Sequence, residues 1–164
     1  MALKAPTAQV IAEAAEILRS GGLVAMPTET VYGLAANALD GGAVAKIFAA
    51  KGRPQFNHLI VHVPDAQSAA RYGVMDDRAN RVASRFWPGP LTMILPRIKD
   101  CAISDLCSAG LPTLALRVPA HPVAQDLLKK AGIPLAAPSA NKSGSISPTT
   151  PRHVLESLGD AVDL

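Results

Sequence analysis

Aromatic residues are scarce in this chain. One Trp, two Tyr and three Phe make up 4% of 164 residues, so a single-stranded nucleic-acid platform built on base stacking has few rings to build with. No uninterrupted apolar run reaches the roughly 18 residues that a membrane span needs. Charge is thin as well: Asp, Glu, Lys and Arg together make 18%, against 49% hydrophobic residues and a mean hydropathy of +0.21. That balance excludes a disordered chain and fits one domain with a real core. Cys101 and Cys107 are the only cysteines. They are too far apart for a C-x-x-C pair and have no Cys or His at zinc-finger spacing, as expected of thiols in a reducing compartment. Met1 to Pro6 shows no apolar run followed by a cleavage site, and Glu13 and Glu16 interrupt the stretch beyond it, so the expected location is the cytoplasm.

Signature motifs are missing too. There is no G-x-x-x-x-G-K-[ST], no G-x-G-x-x-G, no G-x-S-x-G elbow and no H-E-x-x-H, which argues against covalent catalysis and against tight protein-only metal binding. Acidic residues are absent from Gly41 to Pro64, from Arg78 to Lys99 and from Leu127 to Leu155, stretches that hold 12 of the 16 basic residues. The net charge of +3 is too small to imply polyanion binding by itself. Cations converging on one cleft would favour an anion there; a solvated basic face is the other reading.

Apolar periodicity predicts helices over Gln9–Ser20, Gly42 to about Ala50, Asp77–Phe86, Val123–Ala131 and Pro151–Leu158, with Thr7 and Asp40 as caps. In Asp77–Phe86 the expected buried face is Ala79, Val82, Ala83 and Phe86. Strands are expected at Leu23–Met26, His58–Val63, Leu91–Leu95, Leu114–Val118 and Leu135–Ala137, with a loop from Pro27 to the second helix. Interleaved helices and short buried strands imply an α/β domain, a mixed twisted sheet with flanking helices. In such sheets ligands sit where loops leave the carboxyl ends of strands.

The polar clusters lie just after strands. Thr28-Glu29-Thr30 leaves the first strand, as a simple turn or as a polar cluster. Lys51 and Arg53 lie two apart in a Gly/Pro segment; in extended conformation both point one way and can clamp a phosphate, with Asn57 adding an amide. His62 lies on a half-buried strand face, a position more often structural than catalytic. Arg117 shares a strand face with Thr113 and Ala115, and a buried Arg needs an anion, either a ligand or an internal acid. Ala137-Pro138-Ser139-Ala140-Asn141 runs into Lys142-Ser143-Gly144-Ser145-Ile146-Ser147, a donor-rich, acid-free loop suited to cradling a phosphate.

Taken in order, Pro27-Thr28-Glu29-Thr30-Val31-Tyr32-Gly33-Leu34, Lys51-Gly52-Arg53-Pro54, Leu59-Ile60-Val61-His62, Trp87-Pro88-Gly89-Pro90-Leu91-Thr92, Arg117-Val118-Pro119 and Pro138-Ser139-Ala140-Asn141 resemble the YrdC-like family of threonylcarbamoyl-AMP synthases. The resemblance implies a YrdC-like, dihydroxybutanone-phosphate-synthase-like fold around a basic concave cavity. It implies that L-threonine, bicarbonate or CO2 and ATP give threonylcarbamoyl-AMP and pyrophosphate, and that a separate transferase uses the former to modify tRNA. It places Lys51, Arg53, Asn57, Thr113, Ser139, Asn141 and Ser147 around ATP, with Lys51 and Arg53 in the catalytic role. Thr30, His62, Arg117 and Ala137 fall around threonine. Mg2+ is expected with ATP, held mainly by phosphates.

The family pattern also continues beyond the strand expected to start at Ala161-Val162-Asp163-Leu164, so residues 1–164 are expected to be one domain short of its last strands and a basic segment. Two other functions stay open. One is a non-catalytic module that contacts tRNA or double-stranded RNA; the other is the carbamoyl-transfer domain of a hydrogenase-maturation protein.

Overall fold

The computed structural model describes residues 3–52 and 57–164. Thr7 accepts the Val10 N–H and starts α1 (Ala8–Arg19). The chain then forms β1 (Val24–Met26) and turns back into β2 (Gly33–Asn37). Asp40 caps α2 (Gly41–Lys51), which Gly52 closes in the left-handed region at φ 58°; only glycine adopts that conformation without steric cost. Next come β3 (Ile60–His62), α3 (Ala66–Ala69), α4 (Asp77–Phe86), β4 (Thr92–Pro96) and β5 (Thr113–Arg117). The chain continues as α5 (Pro122–Ala131), β6 (Leu135–Ala136) and α6 (Pro151–Leu158). Among the described residues no helix is long and apolar enough to cross a membrane.

The six strands of the described residues form one mixed sheet in the order β1-β2-β6-β3-β5-β4, in which only the β3–β5 pair is parallel. Side chains alternate across a sheet, and the two faces are covered unequally. One face carries Leu34, Ala36, Val61, Met93, Leu95, Leu114 and Leu116, packed under residues of α2, α4 and α6. On the other face α1 and α5 bury Val24, Met26, Ala35 and Leu135, which covers only the β1-β2-β6 half. In the β3-β5-β4 half of that face Ile60, His62, Thr92, Ile94, Thr113, Ala115 and Arg117 point the same way, and none of them belongs to the core that α1 and α5 bury. The outermost apolar side chain of this half, Ile94, is 59% exposed. This half-sheet is the floor of the site.

Four expectations need correction. The segment after β1 is not a loop: Gly33–Asn37 pairs with both β1 and β6 as β2. Phe86, expected in the core, is 55% exposed, because it ends α4 where the chain turns away at Trp87. Lys51 and Gly52 are not extended, since one is the last residue of a helix and the other its left-handed cap; Arg53 lies outside the described residues. The strand expected to start at Ala161 does not begin there, because Ala161 closes a 3-10 turn that starts at Gly159, and the chain becomes extended only from Val162. After that turn Asp163 N–H donates to Leu23 O and Leu164 O accepts from Ala25 N–H, beside β1.

Candidate active site

The Thr28 hydroxyl organises the β1–β2 connection. It donates to Val31 O at 2.6 Å and accepts the N–H groups of Thr30 and Val31, both at 3.2 Å. Such a side-chain-stabilised turn fixes the residues inside it, and those residues are Glu29 and Thr30.

Both face Arg117 at the carboxyl end of β5. The guanidinium is buried, 6% exposed as a residue. Its Nε donates to Gly89 O at 3.3 Å and its Nη1 to Thr30 Oγ1 at 3.1 Å. Nη2 lies 2.8 Å from Glu29 Oε1, but no N–H is aligned on that oxygen, so the contact is an ion pair and Nη2 has no hydrogen-bond partner of its own among the described residues. The internal carboxylate that a buried Arg requires is therefore Glu29. Burial pushes the Glu29 carboxyl upward, but Arg117 and the Ala120 N–H, which donates to Oε1 at 3.2 Å, outweigh it and hold the group below the usual carboxylate range.

His62 lies beside Arg117 in the β3–β5 register. It is 2% exposed, and its Nδ1 sits 3.2 Å from Ile60 O. Burial first, then the neighbouring Arg117 charge, lowers its pKa to about 4. The imidazole is neutral at ordinary pH and offers a hydrogen bond rather than a charge.

A second group gathers at the opposite end of the same strands. Thr113 begins β5 and Asn57 precedes β3. Because β6 runs antiparallel to β3, the segment leaving β6 travels toward that same end. There Ser139 bridges Gly33, and Ala140 N–H donates to Tyr32 O. Between the two groups Ala137 N–H donates to Ile60 O at 2.9 Å. Lys51 is 3% exposed, and its ammonium donates to the carbonyls of Ser139 and Asn141, so it staples the post-β6 segment to the end of α2.

Asn141 is 4% exposed. Its Nδ2 holds the carbonyls of Lys142 and Ser145, while its Oδ1 is buried without a hydrogen-bond partner among the described residues. Ser147 is exposed on the loop beyond. Among the described residues no group of three or more His, Cys, Asp or Glu is placed to hold a metal.

The sequence-derived residues thus fall into two sets at the two ends of β3 and β5, Thr30, His62 and Arg117 at one end and Asn57, Thr113, Ser139 and Asn141 at the other, where Lys51 reaches in from the end of α2, with Ala137 between them. In the sequence Thr28 and Glu29 read only as a turn or a polar cluster and Gly89 only as part of the Trp87–Thr92 motif, without a role at Arg117. The only available signal for Glu29 was the need of Arg117 for an acid, combined with the polar cluster after the first strand. A separate groove at the outer edge of β1, lined by Val10, Ile11, Met26, Leu127, Val154 and Leu164 among others, is apolar and contains none of the site residues.

Residues 16–164 match the Sua5/YciO/YrdC family model, described under telomere recombination. The chain belongs to the Sua5/YciO/YrdC family. Among relatives, the threonylcarbamoyl-AMP synthase of Bacillus subtilis is 52% identical over 149 residues, covering 90% of this chain and 43% of that protein. The crystal structure of Pyrococcus abyssi Sua5 complexed with L-threonine superposes with a TM-score of 0.90 at 46% identity, over 93% of this chain and 45% of that one. Escherichia coli YciO superposes at 0.86 with 28% identity, over 98% and 78%. The Sua5/YciO/YrdC domain seen here spans less than half the length of the first two of these proteins.

Proposed function

We propose that this chain provides the catalytic floor of an L-threonylcarbamoyladenylate synthase, an adenylyl-transferring enzyme that serves tRNA modification. The observation that carries the reading is Arg117, a buried cation that holds the Thr30 hydroxyl through Nη1, is ion-paired with Glu29 through Nη2, and lies beside a neutral His62. The names of the relatives and the threonine-bound neighbour supply the substrate class.

Threonine's carboxylate would take Arg117, with Thr30, His62 and the backbone at Ala137 around the rest of the molecule. Its amine, once deprotonated, adds to CO2; one C–N bond forms and a proton leaves to solvent, giving a carbamate. A carbamate oxygen attacks the α-phosphorus of ATP, and the bond to the β-phosphate oxygen breaks to release pyrophosphate. The chain's part is positioning and charge stabilisation rather than covalent chemistry.

Asn141, whose carbonyl oxygen has no hydrogen-bond partner among the described residues, would orient the nucleotide together with Ser139, Asn57 and Thr113, and Ser147 would contact it from the loop beyond. Lys51 would hold the Ser139–Asn141 segment in place, and Arg53 would complete the phosphate contacts. Mg2+ arriving with ATP neutralises phosphate charge; the donors at this end are amides and hydroxyls, so the phosphates would be its principal ligands.

Pyrophosphate release measured with ATP alone, and after adding threonine, bicarbonate or both, tests the reading. Release should require both. Release independent of threonine would overturn it.

A further inference from the structure

Resting on the threonine reading above, we propose that Glu29 recognises the substrate's α-ammonium group and makes this pocket selective for a zwitterion. The first support is charge balance. In the ligand-free pocket Arg117 contributes one positive charge and Glu29 one negative charge 2.8 Å away, while His62 beside them is neutral. The pocket is neutral before anything binds. A bare carboxylate placed on Arg117 would leave a net negative charge against the buried Arg117 and His62 side chains, which is unfavourable. A ligand carrying its own ammonium restores neutrality, provided that the ammonium sits against Glu29.

The second support is geometry. Glu29 and Thr30 are consecutive in one hydroxyl-braced turn, and both touch the same guanidinium. A carboxylate that shares Nη2, whose N–H groups are aligned on no partner among the described residues, therefore lies next to the Glu29 carboxylate, and a substituent on its own α-carbon comes within reach of Glu29. The Ala120 N–H fixes Oε1 from below. Glu29's backbone is on the rim, so the residue as a whole counts as exposed, yet its side chain is only 23% exposed. The carboxylate is thus partly desolvated and still reachable from the open face. Charge-assisted hydrogen bonds in such a setting are roughly twice as strong as neutral ones.

Glu29 is thereby a specificity-determining residue. Despite its partial burial its carboxyl is held below the usual range, so it presents a negative charge to the ammonium.

Isothermal titration of the purified protein with L-threonine and with 2,3-dihydroxybutanoate of matching configuration, which replaces the amine by a hydroxyl, tests this. The wild-type protein should prefer threonine by about 100-fold, the range of one charge-assisted contact plus one relieved repulsion. In Glu29→Gln that preference should shrink to below about 10-fold, because threonine binds more weakly and the deaminated ligand binds more tightly. Glu29→Asp, which keeps the charge, should restore most of the preference even if both ligands bind less tightly. If Glu29→Gln weakens both ligands equally, Glu29 only braces Arg117 and the inference falls while the threonine reading stands. If the wild-type protein binds neither ligand, the threonine reading itself falls and takes the inference with it.

Discussion

Acid should destabilise this protein at a pH where carboxylates still hold their charge, and the cause is His62. In the folded protein its pKa lies near 4, against an ordinary value of 6.5. A buried histidine that refuses a proton stabilises the native state only while the unfolded chain also remains unprotonated. Its contribution is complete above about pH 6.5 and is lost as the pH falls toward 4. Linkage puts the loss at about 2 kcal/mol by pH 5 and about 3 kcal/mol below pH 4, with a slope of at most about 1.4 kcal/mol per pH unit. That is a large share of the roughly 5–15 kcal/mol that holds a domain folded.

Glu29 and Asp65, whose pKa values are lowered, lose their contributions only below the usual carboxylate range, so the interval from about pH 6.5 to 5 isolates the imidazole. Urea unfolding at half-unit steps through that interval, for wild type and for His62→Gln, measures the effect. The difference between the two curves should change by about 2 kcal/mol, and the other histidines cancel because both proteins carry them. Parallel curves would refute the burial argument.

Three further outcomes are expected from the same contacts. Lys51→Met removes the charged donor of two carbonyls and should cost about 2–3 kcal/mol, with faster amide exchange through residues 139–145; unchanged exchange would contradict the staple. Arg117→Lys keeps the charge but not the fork that reaches Gly89, Thr30 and Glu29 together, so threonine affinity in calorimetry should fall about 10-fold or more; wild-type affinity would show that the fork is not used. A Cβ at Gly89 would lie 2.4 Å from Phe86 O, so Gly89→Ala must displace backbone next to the Gly89 carbonyl that accepts from Arg117 Nε. It should cost about 1–3 kcal/mol in denaturation and reduce turnover by more than that loss explains; full turnover would place Gly89 outside the positioning network.

The five longer helices were legible because their caps and stops are local, whereas α3, a single turn at Ala66–Ala69, was not read from the sequence. Asp76 and Trp87 bound α4, and Thr150 with Pro151 opens α6, all within a turn of the apolar stripe. β2 was not legible. Gly33-Leu34-Ala35-Ala36-Asn37 is small and buried on both faces, so it shows neither alternation nor the β-branched residues that announce a strand. The site divides in the same way. Arg117 stood out as a cation in an apolar strand, whereas its partner Thr30 sits across a gap of 87 residues, and Glu29 one further, a gap that only the tertiary fold closes. Lys51 was visible as a cation, but its burial against the post-β6 carbonyls depended on where that segment travels.

The sheet order has a kinetic consequence. β6 joins the β1–β2 hairpin to the β3-β5-β4 half, yet it is the last of the six strands in the chain. During synthesis the two halves can each begin to form, but no strand pairing links them until Leu135 and Ala136 arrive. Closing the sheet by such non-local pairing demands large loop closures and gives slow folding. The half-sheets that wait would expose unpaired edges facing one another. Residues around 135–141 thus serve as a keystone, and weakening their pairing should slow the approach to the native state far more than their short length suggests.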